Sequence, residues 1–347
     1  MGTLSTAIKL QRTFYKIQKL WVKLLGTSGQ IYFEDRAKQY EGIWKTIADE
    51  LGASFTALDD DLWQIELNGA RVRLLNYKLP MDNPVVLGLA GRKPVVHQLL
   101  KNQNIPIPEY TSFRLNELNI AYDFLQRFPL SCVVKPAGGY GGKGVTTHIT
   151  NKRQLKNAAI LASLQSGKLL IEQQVVGECY RLLVVDGKYV HAVRRNGYRL
   201  TGDGRSSLKQ LLDPADNLKI DKDCIFTMAA QGVNWDTVPK VNQSILIKSI
   251  GKDDQNTSEL RTVYDEVVTS EVCDAIIKDA EDSAKITGSN FLGVDIITTD
   301  IGKDLRSTGG TVNEVNTTPA LHHHYNSQKE KYPLPALNIV RNLLQKK

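Results

Sequence analysis

The segment Val133-Val134-Lys135-Pro136-Ala137-Gly138-Gly139-Tyr140-Gly141-Gly142-Lys143-Gly144-Val145 decides how the rest of the chain is read. Five of the seven residues from Gly138 to Gly144 are glycine. Backbone without Cβ atoms lets N–H groups close in on phosphate oxygens. Lys135 ends a short β-run, Ser131–Lys135, where its ammonium reaches the same anion, and Lys143 adds a second charge at the loop tip. Two familiar phosphate loops are excluded. A Walker loop needs Ser or Thr after Gly-Lys, but Gly144 follows Lys143. A protein-kinase loop has its lysine after the glycines, with H-R-D and D-F-G downstream, whereas Lys135 precedes them and neither tripeptide follows. The remaining reading is a strand lysine feeding a glycine-rich flap, set against a plain surface hairpin.

A second constellation lies downstream. Glu314 and Asn316 stand two apart on a predicted strand, Thr311–Asn316, so they share one face. Asp295 lies on another, Phe291–Thr298. Two carboxylates and an amide oxygen suit Mg²⁺, a hard ion that shares its shell with nucleotide phosphates. The alternative is two surface acids on unrelated strands. The upstream phosphate loop favours the metal, because a triphosphate needs a cation to offset its charge.

Around these motifs the chain predicts mixed structure. Helices are expected at Arg36–Leu51, Arg92–Asn102, Asn116–Phe128, 152–165, Ser270–Thr287 and Ala336–Gln345. Asn68-Gly69 joins Trp63–Leu67 to Arg71–Leu75 as a hairpin. Asp186-Gly187 turns Tyr180–Val185 into Tyr189–Arg195, and Lys168–Gln173 is a further strand. This order predicts an α+β fold and argues against a TIM barrel or a simple doubly wound sheet.

Composition narrows the function classes. The 347 residues are 41% hydrophobic and 23% charged, so the chain is globular and long enough for two or three subdomains. No apolar run approaches the ~20 residues of a membrane span, and the N-terminus lacks a signal-peptide core. Four scattered cysteines without a C-x-x-C pair fit a reducing compartment, so the expected location is the cytoplasm. Net charge is +7, yet residues 1–33 hold five bases (Lys9, Arg12, Lys16, Lys19, Lys23) and no acid. The body is therefore nearly balanced and carries no footprint for duplex nucleic acid. Residues 4–25 read as an amphipathic helix with Leu10, Phe14, Ile17, Trp21 and Leu24 on one face. That face is expected to pack on the body or on a second subunit, with the lysines in water. The alternative is a surface for anionic lipid, RNA or an acidic partner.

The ordered motifs resemble the ATP-grasp superfamily, most closely the ligase domain of cyanophycin synthetase and of the fused glutathione synthetases. The resemblance runs from about Asp61 to His324. It rests on Lys93–Leu100 with Ile105–Pro108, Lys135–Val145, Leu170–Gly177, Arg181–Gly187, Gly202–Leu211, Gly293–Asp295 and Asn313–Leu321. It implies two α+β lobes that clamp ATP, preceded by a small N-terminal α/β region. The divisions are 1–28 (basic helix), 29–92 (N-terminal region), 93–170 (central lobe with the flap) and 171–347 (C-terminal lobe). It implies a carboxylate–amine ligase that converts ATP to ADP and phosphate through an acylphosphate. The substrates would be an amino acid or short peptide, the assembly a homodimer. Two Mg²⁺ ions are implied, with Mn²⁺ as a substitute. A phosphotransferase and a nucleotide-binding scaffold tethered by the N-terminal helix are the alternatives.

Roles carry over by position. Lys93 and Lys135 match phosphate-binding lysines, and Gly138, Gly139, Gly141, Gly142, Lys143 and Gly144 match the flap. Glu172 and Val175 match the adenine-binding hinge. Asp295, Glu314 and Asn316 match the Mg²⁺ ligands. Arg181 and Arg195 match catalytic arginines near the transferred phosphate, with Arg194 and Arg199 beside them. Arg199, Asp203 and His324 are expected at the substrate. Adjacent His322-His323-His324 cannot all face one ion on a strand. The chain also departs from the pattern. Cys179 stands where a ribose-contacting acid is usual, leaving Glu178 as its replacement. Arg92 and His97 replace an Asp and a Lys. Lys252–Ser258 replaces a segment near the amine side, which points to a different acceptor.

Overall fold

The computed structural model describes residues 5–25, 28–128, 131–138, 144–195, 197–212, 220, 222–248, 265–325 and 330–345. Asn68 and Gly69 both take positive φ, 51° and 84°, the twist that a two-residue hairpin needs. Three antiparallel strands result: β1 (Ser54–Asp59), β2 (Leu62–Leu67) and β3 (Ala70–Leu75). Trp63, Ile65, Val72 and Leu74 alternate inward and meet Tyr40, Ile43, Trp44 and Ile47 of the helix Ser28–Glu50. The last helix, Leu334–Gln345, enters the same core through Ala336, Ile339 and Val340, so it packs with the helix Ser28–Glu50 and the first sheet. β1 escaped the sequence reading because its side chains are almost all exposed and show no alternation.

A second sheet holds β4 (Tyr110–Phe113), β5 (Cys132–Pro136), β6 (Thr146–Ile149) and β7 (Leu169–Gln173) in the order β4-β7-β5-β6, all antiparallel. Helices Leu118–Arg127 and Lys152–Ala162 cover it, burying Phe113, Phe124, Leu155 and Ile171. The glycine-rich stretch joins the paired strands β5 and β6. Residues 139–143 lie outside the described residues, and with them the expectations for Gly139, Gly141, Gly142 and Lys143. So does Lys252–Ser258.

The third sheet runs β12-β9-β8-β13-β14, built from β8 (Glu178–Val185), β9 (Lys188–Arg195), β12 (Asp265–Val267), β13 (Phe291–Thr298) and β14 (Thr311–Thr317). Helix Asp274–Thr287 covers one face, packing Ile276, Ala280 and Ala284 on Tyr180, Leu182, Val184, Val294 and Ile296. Between β9 and β12 the chain forms a small ribbon, β10 (Tyr198–Thr201) with β11 (Ser244–Lys248), under the helix Lys222–Ala230. The α+β class is as expected.

The N-terminal helix, Thr6–Leu25, packs on the body, but not through its apolar stripe. It docks on the helix Lys152–Ala162 through Ile8 and half-buried Tyr15. Gln11 Nε2 donates to Asn157 Oδ1 (3.0 Å) and Arg12 Nη2 to the Ser163 carbonyl (3.1 Å). Leu10, Phe14 and Ile17, expected to be covered, are 67%, 58% and 49% exposed. Docking uses the mixed face, because Gln11 and Arg12 find specific partners there that apolar side chains could not satisfy.

Gly177 sits in the link between the second and third sheets at φ 136°. A Cβ there would lie 2.3 Å from the Thr298 carbonyl carbon, so only glycine lets the link pass β13. Gly177→Ala is therefore expected to cost about 2 kcal/mol or more. Urea unfolding of the variant measures this, and an unchanged midpoint would contradict it.

Candidate active site

Strand register assembles the site. Arg181 on β8 lies opposite Asp295 on β13, Asp295 opposite Glu314 on β14, and Gly293 opposite Asn316. These side chains share the sheet face away from helix Asp274–Thr287. The Arg181 guanidinium grips Asp295 with two bonds, Nε to Oδ1 at 2.6 Å and Nη2 to Oδ2 at 2.7 Å. Asn316 Nδ2 donates to the same Oδ2 at 3.1 Å. Burial alone would raise the Asp295 pKa, but the Arg181 charge and hydrogen bonds outweigh it and hold the carboxyl below its usual range. Arg195 stands opposite Cys179 on the same face. Its Nε is buried with no hydrogen-bond partner among the described residues.

Helix Lys93–Asn102 closes the site from the other side. The Lys93 backbone N–H donates to the Ala137 carbonyl at the base of the flap (3.2 Å). Lys93 Nζ lies 2.9 Å from Glu314 Oε1, and Lys135 Nζ lies 2.7 Å from Glu172 Oε2. Lys135 and Glu172 are 4% and 2% exposed. His97 stands between the two pairs. Its Nε2 faces the Asn313 carbonyl at 3.3 Å. A carbonyl only accepts, so Nε2 carries the proton and Nδ1 presents its lone pair. That lone pair faces Glu172 Oε1 at 3.7 Å, and neither atom has a hydrogen-bond partner among the described residues. A bridging donor, water or an amino group, fits this gap. Burial lowers the His97 pKa against the opposing pull of Glu172. Ala90, Val96, Leu100 and Val315 line the apolar side of a small cavity beside Lys93, His97 and Glu314.

Four cations (Lys93, Lys135, Arg181, Arg195) thus share the site with three carboxylates (Glu172, Asp295, Glu314). Oxygen donors from Asp295, Glu314 and Asn316 form a hard set suited to Mg²⁺. All three sit on neighbouring strands with a shared face, where Arg181 and Lys93 hold the two carboxylates. Gly138 flanks the flap, and Gly144 closes it at φ 76°. Val175 is half-buried in the link to β8.

Glu178, Arg199 and Asp203 fall elsewhere, whereas buried His324 lies near Arg181 and Arg195. Glu178 points to the opposite sheet face, where Arg199 (3.2 Å) and Arg194 (3.5 Å) hold it. Neither Glu178 nor Arg199 joins the set, and Cys179 keeps the face on which the acid was expected. Asp203 is exposed and caps a turn, accepting from the Arg205 and Ser206 backbone N–H groups and from Ser206 Oγ. Those bonds, to Ser206 first, lower its pKa to about 2. His324 is buried, with Nδ1 3.1 Å from His191 Nδ1.

The histidine run lies on a 3-10 turn, Leu321–His324, and not on a strand, and all three rings are buried. The Tyr40 hydroxyl accepts from the His322 backbone N–H (3.1 Å) and meets Nδ1 at 2.8 Å. Tyr40, His191 and the position of His97 between two ion pairs were beyond sequence reading. The departure at position 97 was the one signal.

Comparison with known proteins adds relatives. No family model matches the chain. It is 30% identical over 253 residues to cyanophycin synthetase from Geminocystis herdmanii, spanning 68% of this chain and 28% of that protein. It is 28% identical over 253 residues to the cyanophycin synthetase of Crocosphaera subtropica, with the same shares covered. Against the glutathione biosynthesis bifunctional protein of Listeria welshimeri it is 24% identical over 278 residues, 73% of this chain and 34% of that one. The crystal structure of a bifunctional glutathione synthetase from Pasteurella multocida superposes with a TM-score of 0.58 at 17% identity. That match covers 88% of this chain and 43% of that one, and it establishes a shared fold. The chain spans about three-tenths of the length of the curated relatives it matches.

His322, His323 and His324 titrate well below their ordinary 6.5, because burial and then neighbouring basic groups disfavour the imidazolium. Their contribution to stability is complete above the unfolded-state value and is lost as pH falls below it. The expected loss is about 1.4 kcal/mol per histidine per pH unit until the folded pKa is reached. Urea midpoints should therefore drop between about pH 7.5 and about pH 5.5. Equal midpoints would refute the neutral cluster.

Proposed function

We propose that this chain, which carries the ATP-grasp fold and is related in sequence to the cyanophycin synthetases, is an ATP-dependent ligase. It joins a carboxylate to an amine and releases ADP and phosphate. The observation that carries this reading is the set of matched ion pairs, Lys93 with Glu314 and Lys135 with Glu172, facing the Arg181–Asp295 pair.

In this reading the triphosphate takes over cations that now neutralise protein carboxylates. Lys93 leaves Glu314 for a phosphate oxygen, which frees Glu314 to ligate. Asp295, Glu314 and Asn316 would hold Mg²⁺, which would supply charge neutralisation to the phosphates. Lys135 serves a phosphate while Glu172 fixes its position, so Glu172 acts through its buried side chain and not only at the adenine edge. The flap lays its N–H groups on the phosphates and excludes water. Arg181 and Arg195 present guanidinium groups to the transferred phosphoryl. A substrate carboxylate oxygen attacks the γ-phosphorus and displaces ADP. The amine then attacks the acylphosphate carbonyl, and inorganic phosphate leaves as the amide forms. The chain supplies alignment and countercharge, and no protein nucleophile is required.

The finer assignments are part of the same proposal. The acid is an amino acid or short peptide, two Mg²⁺ ions serve one ATP, and Mn²⁺ substitutes. The central lobe is 93–170 and the C-terminal lobe 171–347, behind an N-terminal region at 29–92 and the helix of residues 1–28. The protein works as a homodimer in the cytoplasm. Among the described residues no helix is long and apolar enough to cross a membrane.

A pairwise screen of amino acids and dipeptides for ADP release, with mass spectrometry of the products, tests the reaction. An amide product is expected. ADP without amide would identify a phosphotransferase, and no ADP a nucleotide-binding scaffold. Glu314→Ala should lower kcat by about 10³ or more, and unchanged turnover would remove the metal assignment. Arg195→Ala should lower kcat with little change in KM for ATP, the mark of a contact made in the transition state.

A further inference from the structure

Leu10, Phe14 and Ile17 recur at four- and three-residue steps along the N-terminal helix and form one stripe. Ile8, Gln11, Arg12 and Tyr15, which anchor the helix to the body, occupy the other side. The stripe is thus held outward by the docking itself, and its three large side chains are each about half exposed or more. Lys9 and Lys16 flank it and are exposed. The helix Thr6–Leu25 contains five bases and no acid. The helix it docks on, Lys152–Ala162, adds Lys152, Arg153 and Lys156, again with no acid. Lys152 and Arg153 are exposed.

We infer that this face rests on an anionic phospholipid bilayer, with Leu10, Phe14 and Ile17 entering the headgroup boundary and the flanking lysines on lipid phosphates. Charge decides between the possible occupants. A second copy placed symmetrically would set one acid-free basic helix against another, and like charges oppose that pairing. An anionic lipid surface offers both an apolar layer for the stripe and counter-charge for its rim. The helix lies in the interface plane and does not span it, since its polar side stays bound to the protein.

The full chain is sedimented with vesicles of phosphatidylcholine alone and of phosphatidylcholine with about one-third phosphatidylglycerol. Binding to the anionic vesicles is expected to exceed binding to the neutral ones by about tenfold or more and to weaken as salt screens the lysines. L10D/F14D/I17D should lose about tenfold or more of that binding with its ATP turnover retained. The milder K9E/K16E, which leaves the stripe intact, should also lose binding and guards against misfolding of the triple variant. Equal binding to both vesicle types, or undiminished binding by both variants, would overturn the inference. So would light scattering that finds a dimer without vesicles which L10D/F14D/I17D splits, because the stripe would then be a subunit contact.

Discussion

The Arg181–Asp295 pair is the constraint on which the site depends. Both groups are buried in the middle of a five-stranded sheet, joined by two hydrogen bonds. A lone charge there would be costly, and losing one partner of such a pair costs about 3–5 kcal/mol. Asp295 therefore stays ionised because Arg181 lies opposite it in register, and Arg181 stays in place because Asp295 holds it. The same logic repeats outward, with Lys93 on Glu314 and Lys135 on Glu172. Lys93, Lys135 and Arg181 are each parked on a carboxylate within the protein. This keeps a dense basic site from repelling itself, and in the proposed function a polyanion would bind by exchange of partners and not by filling a ready-made positive hole.

The parts of this arrangement legible in sequence are those that depend on strand parity and local turns. Glu314 and Asn316 share a face because they are two apart, and Asn68-Gly69 makes a hairpin because both residues accept positive φ. What was not legible depends on pairing across the chain. That Arg181 faces Asp295 follows from the register of β8 on β13, 114 residues apart, which no local pattern specifies. Glu178 and Cys179 illustrate the limit. They are neighbours, so one must face the cleft and the other the opposite side, and only the register decides that Cys179 takes the cleft. His97 shows a third case. Its position on a helix was clear, but its significance arises from Glu172 and Asn313, which lie on two other sheets.

The core of the first sheet braces the site from behind. Leu183, Phe291 and Leu321 tie the third sheet to the core formed by helices Ser28–Glu50 and Leu334–Gln345. Tyr40 reaches from that core to His322, just beyond β14. The turn that follows the metal-suited strand is therefore fixed by a residue near the start of the chain. A tyrosine hydroxyl that accepts from the backbone and meets the ring nitrogen sets the histidine's orientation. The N-terminal region, whose sequence carries no recognisable chemistry, takes part in positioning the site.

The N-terminal helix makes the complementary point about amphipathicity. A periodic apolar face shows that something apolar must cover it, but not that the cover is the rest of the same chain. Here hydrogen bonds from Gln11 and Arg12 settle the docking, and they face away from the stripe. Turning Leu10, Phe14 and Ile17 inward would bury apolar area yet leave the Asn157 amide and the Ser163 carbonyl without those partners. The apolar stripe is left for another surface, and the absence of any acid on the helix restricts which surface that is.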